Sequence, residues 1–134
     1  MEFHRGRLID HVEIRVADLE ISKHFYRAVL ASLGLPEPYE GDDFFFSDEL
    51  VVSKADDYIS RVHLAFQAKD HDMVQAFYKA ALAAGGRDNG APGYRSYHAG
   101  YYAAFVLDPD GNNIEAVFNG PATRSTSSVV ITPA

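Results

Sequence analysis

Two histidines 52 positions apart, His11 and His63, and one glutamate, Glu115, are the residues whose types best suit metal chemistry. Each histidine opens a stretch in which apolar and polar residues alternate, and Glu115 lies within a third such stretch. Two imidazoles and one carboxylate on a shared face offer nitrogen and oxygen ligands to a divalent cation and leave coordination positions open. That arrangement suits catalytic zinc or non-haem iron. The chain has no cysteine, so thiolate ligands, disulfides and cysteine nucleophiles are excluded together. Taken singly, a strand histidine more often serves a hydrogen bond, and a glutamate on an outer strand is usually solvated.

A second group surrounds these three. His98 is a candidate general acid or base, as is Glu13. Arg95, Tyr97, Tyr101 and Tyr102 are candidates for holding a polar substrate. The same residues also fit a hydrogen-bonded surface loop, with Tyr101 and Tyr102 packing as β-formers. His4 is expected in a frayed terminus, and His24 and His71 on exposed helix positions.

The elements that position these side chains follow from an internal repeat. Shifting the chain by 52 positions aligns Leu8–Gly34 with Ser60–Gly86 without a gap. Identities fall at His11/His63, Asp18/Asp70, Phe25/Phe77, Tyr26/Tyr78, Ala28/Ala80, Leu30/Leu82, Ala31/Ala83 and Gly34/Gly86. The repeat makes His11 and His63 equivalent, which chance rarely does. Each copy opens with a strand: Val12, Ile14 and Val16 alternate with His11, Glu13 and Arg15, and Val62, Leu64, Phe66 and Ala68 alternate with His63, Ala65, Gln67 and Lys69. A helix follows, capped by Asp18 or Asp70 and stopped by Gly34 or Gly85-Gly86. The expected apolar stripes are Ile21, Phe25, Val29 and Leu33, then Met73, Val74, Phe77, Ala81 and Leu82. Strands are expected over 44–47, 50–53, 101–107 and 113–118, the last two joined by the Asp108-Pro109-Asp110-Gly111 turn. Residues 87–100 read as a glycine-rich loop, and 128–132 as a possible edge strand. The unit is β-α-β-β-β, twice, within a single α+β domain spanning 1–134. Module one covers about 8–55, module two about 60–119, and a tail 120–134.

Composition agrees with one globular domain: 134 residues, 47% hydrophobic, 13% aromatic and 23% charged. The net charge of −7, without any basic run, speaks against nucleic acid as a partner. No apolar run reaches the roughly 20 residues of a membrane helix, and the first residues carry no apolar signal core. A cytoplasmic location is the expectation.

These residues and motifs resemble the vicinal oxygen chelate superfamily of glyoxalases, bleomycin-resistance proteins and extradiol dioxygenases. The resemblance is carried by the strand histidine opening each copy and by Val62-His63-Leu64-Ala65-Phe66. It is carried further by Ala76-Phe77-Tyr78-Lys79-Ala80-Ala81-Leu82 and by the run from Phe105 to Glu115. It implies two βαβββ modules forming an incomplete barrel, and one divalent metal ion (Zn, Mn, Fe, Ni or Co) held at positions matching His11, His63 and Glu115. It also implies a homodimer and a small-molecule substrate bound through vicinal oxygens. The activity implied is lyase, isomerase or transferase chemistry. The alternatives are an extradiol-type ring-cleaving dioxygenase and a metal-free, bleomycin-resistance-like sequestration protein. Three departures bear on subtype. Val51 stands where glyoxalase I carries a fourth ligand, Phe105 replaces a signature tyrosine of the dioxygenases, and Glu13 replaces a hydroxyl residue of fosfomycin-resistance enzymes.

Overall fold

Asp18 and Asp70 start the two helices as their sequence positions require. The Asp18 carboxylate accepts from the Ile21 N–H at 3.1 Å and the Asp70 carboxylate from the Met73 N–H at 2.8 Å. Each cap satisfies a donor that the first helical turn leaves free. A computed structural model describes residues 1–134. The first module runs β1 (Val12–Val16), α1 (Leu19–Ser32), β2 (Tyr39–Glu40), β3 (Phe44–Ser47) and β4 (Leu50–Lys54). The second runs β5 (His63–Gln67), α2 (His71–Ala83), β6 (Arg87–Tyr94), β7 (Tyr102–Leu107) and β8 (Asn113–Phe118). The β-α-β-β-β repeat is therefore present twice.

Each module folds its strands into one four-stranded sheet, ordered β1-β4-β3-β2 and β5-β8-β7-β6. The opening strand pairs in parallel with the closing strand, β1 with β4 and β5 with β8, and the remaining pairs are antiparallel. Both sheets stay open. One apolar core runs through both modules, joining Ile14, Val16 and Val52 of the first sheet and Val106, Ile114 and Ala116 of the second to both helices. Because side chains alternate across a strand, the residues between these core positions share the opposite face of each sheet. His11, Glu13, His63 and Glu115 lie in that phase.

A polar tie crosses the apolar boundary between modules. Tyr26 on α1 donates to Asp108 at 2.6 Å, and both are buried. Asp108 in turn accepts from the Asn112 side chain and from the backbone N–H groups of Asp110 and Asn112. Burial first, then the neighbouring Asp108 charge, raises the Tyr26 phenol well above its ordinary value, so it stays a donor.

Four expectations are corrected. Residues 87–94 form β6 rather than a loop, because β7 supplies their hydrogen bonds; two register shifts absorb the glycines. Ile21 is exposed, and the buried α1 face is instead Leu19, Ser22, Phe25, Tyr26, Val29 and Leu30. Residues 128–132 form no strand. His71 is half-buried, its ring stacked 3.8 Å from Tyr102. No helix is long and apolar enough to cross a membrane.

Candidate metal centre

Glu115 is the one carboxylate that the open face of the second sheet buries. It is 1% exposed, yet β8 places it opposite the helix-facing Ile114 and Ala116. Two side chains cover it. The Tyr101 hydroxyl donates to Oε2, and His63 Nε2 stands 3.0 Å from Oε1. The parallel register of β5 and β8 makes this possible: Ala65 pairs with Glu115 and His63 with Asn113, so His63 lies diagonally beside Glu115 on one face.

The second ring nitrogen of His63 fixes the chemistry of the pair. Nδ1 lies 2.9 Å from the Asn113 carbonyl oxygen, which accepts only, so Nδ1 carries the proton. Nε2 then faces a carboxylate oxygen. Either an imidazolium proton or a cation between the two relieves the repulsion of their lone pairs. A histidine whose outer nitrogen is tied to a carbonyl, with its inner nitrogen aimed at a carboxylate, has the kind of supporting contact that orients a metal-ligating imidazole. His63 and Glu115 fit a divalent cation on that ground.

His11 is not part of this group. Its ring is exposed, with Nδ1 2.7 Å from Asp10, and no three His, Asp or Glu side chains converge in the chain. One chain thus brings two of the three expected ligands together. Glu13 is exposed on β1 and accepts from the Ser53 hydroxyl at 2.8 Å. Val51, the β4 partner of Glu13, offers no ligand atom.

The remaining candidates divide. Tyr101 touches the site directly. Burial, then its bond to Glu115, pushes its phenol above the ordinary range, so it remains protonated and donating. Tyr97 and His98 pack edge-on against Tyr101, at 5.0 and 5.1 Å between ring centroids. Both ring nitrogens of His98 are engaged, by the Ala99 carbonyl and the Asn119 amide, each at 2.9 Å. Tyr102 lies on the helix side, stacked on His71 and accepting from the Gln75 amide at 3.0 Å. Arg95 lies over the Phe105 ring at 5.3 Å, and Phe105 stacks with His63 at 6.0 Å. Asn113 and Phe105 are not among the site residues expected from sequence, though both share the face of Glu115.

Comparison with known proteins agrees with this architecture. The family model described as Glyoxalase/Bleomycin resistance protein/Dioxygenase superfamily matches residues 8–116. The chain belongs to that superfamily. A glyoxalase/bleomycin resistance protein from Albidiferax ferrireducens is 31% identical, with TM-score 0.70 over 82% of this chain and 97% of that one. A glyoxalase-related enzyme from Fulvimarina pelagi, 22% identical, gives TM-score 0.66 over 85% and 89%. A lactoylglutathione lyase from Agrobacterium tumefaciens, 21% identical, gives TM-score 0.61 over 85% and 95%. The last two likenesses concern the fold alone. No curated protein sequence matches the chain.

Proposed function

We propose that this superfamily member is a divalent-metal-dependent enzyme acting on a small oxygen-rich molecule, by lyase, isomerase or transferase chemistry. One observation carries the reading: a buried carboxylate, Glu115, faces an imidazole whose other nitrogen is already tied to a carbonyl. When bound there, a divalent cation supplies Lewis-acid polarisation of two adjacent substrate oxygens. His63 and Glu115 hold it, and Tyr101 fixes Glu115 through Oε2, which leaves Oε1 turned toward His63. His11 reaches no such group in its own chain, so the third ligand is proposed to come from His11 of a second copy in a homodimer. Open edges at both sheets are consistent with that assembly. Glu13, two residues after His11, would enter with it and is the proposed proton carrier.

The test is metal uptake by calorimetry with manganese and zinc, together with light scattering. About one ion per chain in a dimer is expected, with uptake lost in Glu115→Gln, His63→Ala and His11→Ala. Uptake equal to wild type in all three variants overturns the reading.

A second reading, metal-free sequestration of a small molecule, is favoured by a different observation. Tyr39, Phe44 and Phe46 gather on the open face of the first sheet, with Phe44 and Phe46 parallel within 9°. Stoichiometric binding that survives chelator would select it.

A further inference from the structure

The geometry points to a built anion seat at Arg95, so that the substrate carries a carboxylate in addition to the vicinal oxygens; the second half of this statement rests on the metal-enzyme reading. Arg95 takes part in none of the chain's ion pairs. Its guanidinium is instead gripped by neutral carbonyl oxygens. Nη1 donates to Gly93 at 2.8 Å and, at 3.4 Å, to Tyr94, while Nη2 donates to Ala91 at 2.8 Å. These contacts satisfy hydrogen bonds but leave the positive charge without a counter-charge. A guanidinium has five N–H donors. Nε–H and one hydrogen of Nη2 therefore have no acceptor in the chain. Neighbouring donors on a planar fork are the pattern that takes a carboxylate with two bonds.

The backbone is shaped for this group. A Cβ at Gly90 would stand 3.2 Å from Nη2, and one at Gly93 would stand 3.2 Å from Nη1. Both glycines lie where β6 shifts register against β7, and Gly90 has φ +147°, a conformation that side chains rarely adopt. The irregular strand is thus a cradle with the guanidinium seated in it. The seat lies beside the site. Arg95 lies over Phe105 and Phe105 stacks on His63, so the same ring touches both the guanidinium and the metal-ligand pair. A monocarboxylate whose other end bears two adjacent oxygens matches that layout. Its carboxylate would pair with Arg95 while the oxygens point toward His63 and Glu115.

The experiment is an NMR titration of the full chain in the presence of chelator, following the Arg95 Nε–Hε and Phe105 amide signals. Sodium benzoate is the probe and benzamide its neutral control. Saturable benzoate shifts are expected, with benzamide at least about tenfold weaker. Arg95→Gln should weaken benzoate by about tenfold, read at the Phe105 amide. Because Arg95 also holds β6 carbonyls, Gly93→Ala serves as the second variant. It keeps the charge, displaces Nη1, and should weaken benzoate several-fold while near-ultraviolet dichroism stays native. An absent benzoate response, equal responses to the two probes, or wild-type affinity in either folded variant overturns the proposal. Chelator keeps the outcomes separate. Failed metal uptake leaves the anion seat standing, and a failed benzoate response in a protein that takes up metal removes the seat alone.

Discussion

Val51 and Glu115 occupy the same place in the two modules. Glu13, two residues after His11, pairs with Val51, and Ala65, two residues after His63, pairs with Glu115. The repeat has therefore kept the backbone position of a carboxylate in both halves and the carboxylate itself in one. Val51→Glu places an acid at the matching position on the half-buried open face of the first sheet. If His11 and Val51 of one copy face His63 and Glu115 of another, this variant should bind manganese about tenfold more tightly. Calorimetry of the two proteins side by side checks it.

Tyr101→Phe removes the donor to Glu115 Oε2 and leaves a buried carboxylate oxygen without a partner. A stability loss of about 1–3 kcal/mol is expected in urea denaturation. Metal affinity should fall by about 10- to 100-fold, as expected when the contact supporting a ligand is lost. Tyr101 is a positioning residue, so the two losses should appear together.

Tyr26→Phe tests the tie between modules. The substitution keeps the ring in the core and deletes only the bond to the buried Asp108. A cost of about 1.5–3 kcal/mol follows for a hydrogen bond to a charged acceptor. Asp108→Ala should cost more, because it also strips the turn from Pro109 to Asn112 of its acceptor. Chemical denaturation of both variants measures the difference.

The acid limb of stability should depend on Asp56. Hydrogen bonds with Asp57 come first, and the Arg15 guanidinium 2.5 Å away adds to them, lowering this carboxyl to about 2. A lowered folded-state pKa means that the ionised form is preferred in the fold. Its contribution is present above the ordinary carboxylate range and disappears as pH falls toward 2. Asp56→Asn should therefore be less stable than wild type near neutrality, and the two should converge through the window from about 4 down to 2. Thermal melts across that range read the convergence.

Much of the frame was legible because local chemistry decides it. The caps at Asp18 and Asp70, the alternation in β1, β5 and β8, and the Pro109–Gly111 turn each depend on neighbours a few residues away. The repeat carried that legibility across the chain. β6 is not legible in the sequence for the opposite reason. Its Asn, Gly and Pro residues have no strand preference, and only pairing with β7 holds them extended. The same dependence hid the cradle of Arg95, since Gly90 and Gly93 look like loop glycines until the guanidinium lies beside them.

Neighbouring tyrosines show where sequence reading stops. Tyr101 and Tyr102 are chemically alike, but Tyr101 immediately precedes β7 and Tyr102 begins it, so Tyr101 meets Glu115 while Tyr102 meets His71 and Gln75. Residue type and spacing are local and repeated, and they establish the paired modules, the family, and the candidacy of His11, His63 and Glu115. Tertiary structure alone decided that His63 and Glu115 meet, that Tyr101 locks the carboxylate, and that His11 stands apart. Those outcomes rest on cross-strand register and on which face each module leaves open. Neither is encoded in any single stretch of the chain.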